Sequence, residues 1–241
     1  MKDGTPMFSG FSEKTGGFLW ELAFNNERPW FLAHKQEFED FVNTPFKALA
    51  ADSVSLMNAR FPDFSGEAHV SRIYRDARRL FGRGPYKDHL WFTLWDSSAG
   101  RDGPAFWFEI GAATCSWGLG YFDVTPAEME IFRRSIDANP ARFARLAEEI
   151  DGMGRYRIFG AAYARPKGSY DEPVRSWYER KYVGAEHVQD LEGDMFSPAL
   201  PGILADAFTE LMPMYRFLRE VHLSARRDGL TRMGKESRHE G

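Results

Sequence analysis

A chain of 241 residues, 43% of them hydrophobic, is long enough for one large domain or two small ones and can fill a core of ordinary size. Its formal net charge of -4 offers no basic face to nucleic acid, so the balance of charge counts against that partner unless a local patch supplies it. The single cysteine, Cys115, excludes an internal disulfide and a cysteine-based zinc site and suits a reducing compartment.

Met1 to Gly10 is polar, lacks the apolar core of a signal peptide and is expected to be loose. No apolar run approaches the ~18 residues of a membrane span, so the expectation is a cytoplasmic protein without membrane association. Gly17 to Ala23 predicts a short helix carrying Phe18, Leu19 and Leu22. Pro29 then opens a second helix, with Phe31, His34, Phe38, Phe41 and Val42 at helical spacing. Thr44-Pro45 reads as an N-cap followed by proline at the first helical position, starting a helix to about Arg60.

The middle of the chain changes character. Ala68 to Asp76, His89 to Asp96, Ala105 to Gly111 and Thr114 to Phe122 are rich in aromatic and β-branched residues and predict an antiparallel meander. Ser97 to Gly103 supplies a hairpin connection. Helices return at Thr125, where Thr125-Pro126-Ala127-Glu128 is a capping box, and at Asn139-Pro140. Tyr156 to Tyr163 is expected to rejoin the sheet, and Pro201 to His222 to form a last helix kinked at Pro213. The order predicts one α+β domain over residues 1–224, an antiparallel sheet of about five or more strands packed with N-terminal, middle and C-terminal helices. Residues 225–241 read as a disordered tail.

The most function-like segment runs from Arg72 to His89. It holds five arginines and Lys87 in a chain that is acidic overall. On a strand, Arg72, Tyr74, Asp76 and Arg78 would share one face. Guanidinium forks beside a phenol suit a small anionic ligand, a phosphate or a carboxylate, because arginine binds either through paired donors. Gly82 and Gly84 would let backbone approach a ligand. The bland alternative is an Arg–Asp network that ties a strand end to the next loop. Neither a phosphate-binding P-loop nor a dinucleotide fingerprint is present.

Arg72-x-x-Arg75-Asp76-x-Arg78 resembles the signature of the bacterial family catalogued as domain of unknown function 2461, whose pattern R-x-x-R-D-x-R-F leads into an Asp/Asn-Lys step and Pro-Tyr-Lys. Asn25-Asn26-Glu27-Arg28-Pro29-Trp30-Phe31, His34-Lys35, Pro85-Tyr86-Lys87-x-His89, Gly118-Leu119-Gly120-Tyr121 and Pro166-Lys167-Gly168 extend the resemblance over roughly Phe11 to Leu223. Arg79 stands where the family pattern has Phe, and Arg83-Gly84 replaces the Asp/Asn-Lys step. The resemblance implies a shared fold and a shared site, but no reaction.

These readings give a ligand-binding set of Arg72, Arg75, Arg78, Tyr86 and Lys87, closed by Arg28 and Lys35 at a helix start, where a helix N-terminus favours an anion. Were the protein an enzyme, which the sequence leaves open, Asp76 or Glu109 would move a proton. Glu109 lies in the apolar run Phe106 to Ile110, where pairing with an arginine is the simpler account. The six histidines form no metal-ligand pair, so no metal site is expected, and no cofactor is implied. Cys115 reads as a buried small hydrophobe. A second hypothesis is a non-catalytic interaction module in which exposed aromatics among Trp91, Trp95, Trp107 and Trp117 stack on a protein or single-stranded nucleic acid. Oligomeric state is not legible.

Overall fold

The structure is a computed structural model and describes residues 7–76, 78 and 82–230. Arg79, like the rest of 79–81 and the tail beyond 230, lies outside the described residues. Helices and strands follow in the order α1 (Glu13–Phe24), α2 (Arg28–Ala33), α3 (Lys35–Phe38), a π-helical turn (Glu39–Asn43), α4 (Thr44–Arg60), β1 (Gly66–Val70), β2 (Leu90–Asp96), β3 (Ala105–Ile110) and β4 (Thr114–Tyr121). Then come α5 (Pro126–Ala138), α6 (Pro140–Gly152), β5 (Arg157–Phe159), α7 (Val174–Tyr178), β6 (Val183–Asp190), a 3-10 turn (Gly193–Phe196) and α8 (Leu200–Arg227). The six strands form one antiparallel sheet in the order β1-β2-β3-β4-β6-β5, so the fold is α+β and the meander of the first four strands is as expected. The chain divides into two compact units: residues 1–94, 107–117 and 188–207 form the first, and 95–106, 118–187 and 208–241 the second.

The first unit is built on phenylalanine. Phe11, Phe46, Phe92 and Phe108 are buried and meet with ring centroids 5.6–6.5 Å apart. Phe8 joins them at 5.0 Å from Phe11, and its amide donates to Asp52. The loose start expected through Gly10 is therefore corrected at Phe8, which apolar burial draws into the core. Thr44 is a second correction. It caps no new helix, because Asn43 before it is already helical (φ -69°, ψ -47°). Pro45 has no amide hydrogen, so the Phe41 carbonyl four residues earlier lacks its helical donor. The Thr15 hydroxyl supplies one at 2.7 Å, and the π-helical turn sits at that point.

In the second unit the capping box at Thr125 forms as expected: the Thr125 hydroxyl accepts from the Glu128 amide, and the Glu128 carboxylate accepts from the Thr125 amide at 2.7 Å. Asn139 caps α6 through the Arg142 amide. β5 pairs antiparallel with β6, Ile158 opposite Ala185. Neither β6 nor α7 is predicted from the sequence. β6 opens Val183-Gly184-Ala185, and its small residues lack the aromatic and β-branched signal that marks the other strands. The backbone comes too close for more bulk, since a Cβ at Gly118 would strike the Ala185 carbonyl. Pro213 lies inside α8, which continues to Arg227, past the predicted end at His222 and the start of the predicted tail at Ala225. Ala225 is buried there.

Candidate functional site

In the first unit β1 ends at Val70, short of the expected Asp76. Pairing resumes only at an isolated antiparallel bridge between Tyr74 and Tyr86. The bridge is flanked by bonds from the Arg75 amide to the Pro85 carbonyl at 2.8 Å and from the Lys87 amide to the Ile73 carbonyl at 2.7 Å. This short ribbon replaces the strand face expected for Arg72, Tyr74, Asp76 and Arg78. Because side chains alternate across paired backbone, Tyr74 and Tyr86 share one side, with ring centroids 5.2 Å apart. Arg75 and Lys87 belong to the other.

Tyr86 anchors the ribbon. Its ring is buried and stacks on Phe31 of α2 at 4.1 Å. Its amide donates to the Asn26 side-chain oxygen, and its carbonyl accepts from the Asn26 side-chain nitrogen, both at 2.9 Å. The Arg75 Nε donates to the same carbonyl at 2.6 Å. Gly84 is the residue that permits this clasp, since a Cβ there would overlap the Asn26 side chain. Burial raises the Tyr86 phenol above its ordinary pKa, with help from Tyr74, while Arg28 pulls it down.

Two cations of the ribbon, Lys87 and Arg75, are held by backbone carbonyls. The Lys87 ammonium donates to the Arg72 carbonyl at 2.6 Å and lies 5.6 Å from the centre of the Trp91 ring. Burial lowers its pKa, and Arg75 and Arg72 lower it further, against Glu109, which raises it. Arg75 reaches one carboxylate, Asp88, at 3.4 Å, and Asp88 also bonds His89 at 3.0 Å. Burial pushes the Asp88 carboxyl up, but His89, the local backbone and Arg75 together leave it below its ordinary value. Asp76 grips Arg78 two residues on, through Nε at 3.0 Å and Nη2 at 2.9 Å. The Arg78 side chain is otherwise 89% exposed, and that fork raises its pKa. Lys35 is exposed at the start of α3.

The structure thus brings Arg72, Arg75, Lys87 and Glu109 into one electrostatic neighbourhood, joins Asp76 to Arg78, and sets Arg28 beside Tyr86. Asn26 and Asp88 are the members that sequence reasoning missed. Asn26 stood in a quoted motif without a role, and its partner is 60 residues away. Trp95 and Trp117 are buried and Trp91 and Trp107 half-buried, which corrects their reading as exposed aromatics. Cys115 is buried as expected, and burial, then Asp190, pushes its thiol up to about 12. Among the described residues no group of three metal-ligating side chains converges, and no helix is long and apolar enough to cross a membrane.

The second unit holds a buried polar cluster with no signature in the sequence. The Tyr121 hydroxyl lies 2.5 Å from Glu128 Oε1 and 2.9 Å from His222 Nδ1, and that nitrogen is 3.2 Å from the same carboxylate oxygen. His222 Nε2 faces the Ala99 carbonyl at 3.1 Å, which Arg226 also contacts at 2.6 Å. Nearby, buried Asp96 holds Arg219 at 2.8 Å and the Ser98 hydroxyl at 2.7 Å.

No curated protein matches the chain. A family described as conserved hypothetical protein (DUF2461) matches residues 14–217, most of the chain and every element from α1 into α8. By this match the chain belongs to that family.

Proposed function

We propose that the ribbon from Arg72 to Asp88 binds a small anion, a phosphate or a carboxylate, through Lys87, Arg72 and Arg75. One observation carries this reading: Lys87 is anchored by the neutral Arg72 carbonyl while two arginines repel its charge. Carbonyl anchoring fixes a cation in space without neutralising it, so an anion arriving there gains attraction at little ordering cost. Arg75 is similarly fixed by the Tyr86 carbonyl and meets Asp88 only at 3.4 Å. Arg78, held by Asp76, and Lys35 are peripheral to this reading. It is a binding function. Were chemistry to occur, Glu109 is the carboxylate that shares a field with Lys87.

Isothermal titration of the full chain with inorganic phosphate and with citrate tests the proposal. Lys87→Ala and Arg72→Ala should each weaken binding about tenfold, equivalent to ~1.4 kcal/mol, with circular dichroism unchanged. Arg75→Ala should also lower Tm, because the Tyr86 carbonyl loses a charged donor. Binding that neither Lys87→Ala nor Arg72→Ala alters, or no binding of either anion, defeats the proposal.

A further inference from the structure

Arg133 lies in α5 of the second unit with its side chain 5% exposed. Its Nη2 donates to Glu130 at 2.9 Å. Its Nη1 is buried and has no hydrogen-bond partner among the described residues. Leaving a buried guanidinium donor unmet costs more than leaving a neutral one, so its surroundings bear on function.

The guanidinium carbon of Arg133 lies 5.3 Å from the centre of the Tyr163 ring. The Lys167 and Lys181 ammonium groups reach the same ring at 4.7 Å and 5.7 Å. The pairing that sets them there is short: the Tyr163 amide donates to the Glu179 carbonyl and the Lys181 amide to the Ala161 carbonyl. One phenol ring cannot neutralise three cations. A cation–π contact contributes ~0.5–2 kcal/mol and carries no negative charge.

Two other carboxylates of this unit are engaged by neutral donors. Glu179 accepts from the backbone amides of Lys167 and Gly168 at 2.8–3.1 Å. Asp137 accepts from the Tyr170 and Tyr178 hydroxyls at 2.8–3.2 Å. Glu179 and Asp137 are thus bound by neutral donors; Arg133 pairs with Glu130 through Nη2 alone, and Lys167 and Lys181 face the neutral ring. Lys167 and Lys181 are exposed, and Tyr163 is half-buried, so the cluster opens to solvent.

We infer that Arg133, Lys167 and Lys181 around Tyr163 form a second ligand site, in the second unit, for a dianionic oxyanion of the phosphate or phosphate-monoester class. The two lysines supply mobile charge at the mouth, and Arg133 supplies a donor already desolvated behind it. The site is independent of the Lys87 ribbon and stands or falls separately.

The test is a titration of the 15N-labelled full chain with inorganic phosphate at constant ionic strength, followed at the Tyr163, Lys167 and Gly168 amides. Saturable shifts are expected. Lys167→Glu and Lys181→Glu, both at exposed positions, should weaken the fitted Kd at least tenfold, while Lys87→Ala leaves it unchanged. Arg133→Lys, which keeps the charge and loses the fork, should weaken it as well. Shifts that rise linearly without saturating, or a Kd that neither charge reversal alters, overturn the inference. So does a titration that only Lys87→Ala abolishes, which would assign all binding to the ribbon.

Discussion

His222 is fully buried and meets polar groups at both ring nitrogens. The Tyr121 hydroxyl has a single hydrogen, and its 2.5 Å contact with Glu128 takes it. His222 Nδ1 lies 2.9 Å from that hydroxyl and 3.2 Å from the Glu128 carboxylate, and Nε2 faces the Ala99 carbonyl. The arrangement surrounds a buried carboxylate with polar partners. Burial pushes the Glu128 carboxyl up, but bonds from His222, Tyr121 and Thr125 outweigh it and hold the pKa below its ordinary 4.5. Burial, reinforced by Glu128, moves the Tyr121 phenol the opposite way. A carboxyl depressed in the fold adds stability that is present above its unfolded pKa and lost as pH falls through the folded one. His222→Ala should therefore cost ~3–5 kcal/mol at neutral pH, by stranding a buried charge. Tyr121→Phe should cost ~1–3 kcal/mol. In urea titrations the gap between wild type and His222→Ala should narrow as pH drops below 4.5; a gap independent of pH would contradict the pairing of His222 with the Glu128 carboxylate. None of this was legible in the sequence, where His222 is one histidine without a neighbouring partner.

Secondary structure was legible where the signal is local. Thr125 to Glu128 and Asn139-Pro140 carry their caps within a few residues, and both helices start where those residues predict. β2, β3 and β4 announce themselves by aromatic and β-branched runs. β6 failed that test because its place beside β4 selects for small residues rather than for strand formers. Gly118→Ala should consequently lower stability by ~1–3 kcal/mol, the cost of overpacking, as its Cβ meets the Ala185 carbonyl. Gly152→Ala at the end of α6, where nothing lies within 4 Å, is the control and should cause no loss in thermal denaturation. Equal effects at both glycines would remove close strand approach as the reason β6 is built this way.

Both compact units are assembled from separated stretches of chain. The aromatic core of the first unit needs Phe108, which the chain supplies only after leaving that unit at Leu94. We propose accordingly that residues 1–224 fold as one domain in the cooperative sense. A fragment of residues 1–94 should show no cooperative thermal transition and poorly dispersed amide spectra; a folded fragment would refute that view. The sequence by itself determined the starts of α5 and α6, the meander and the α+β class, because propensity, capping and alternation act over a few residues. Only tertiary structure decided which groups those side chains meet. The Asn26–Tyr86 clasp joins residues 60 apart, and the Tyr121–His222 contact residues 101 apart. The pull of Tyr163 on Arg133, Lys167 and Lys181 likewise arises only once α5, the stretch between β5 and α7, and the turn before β6 are folded together. Charge and hydrogen bonding depend on distance in space, and a single sequence records distance only along the chain.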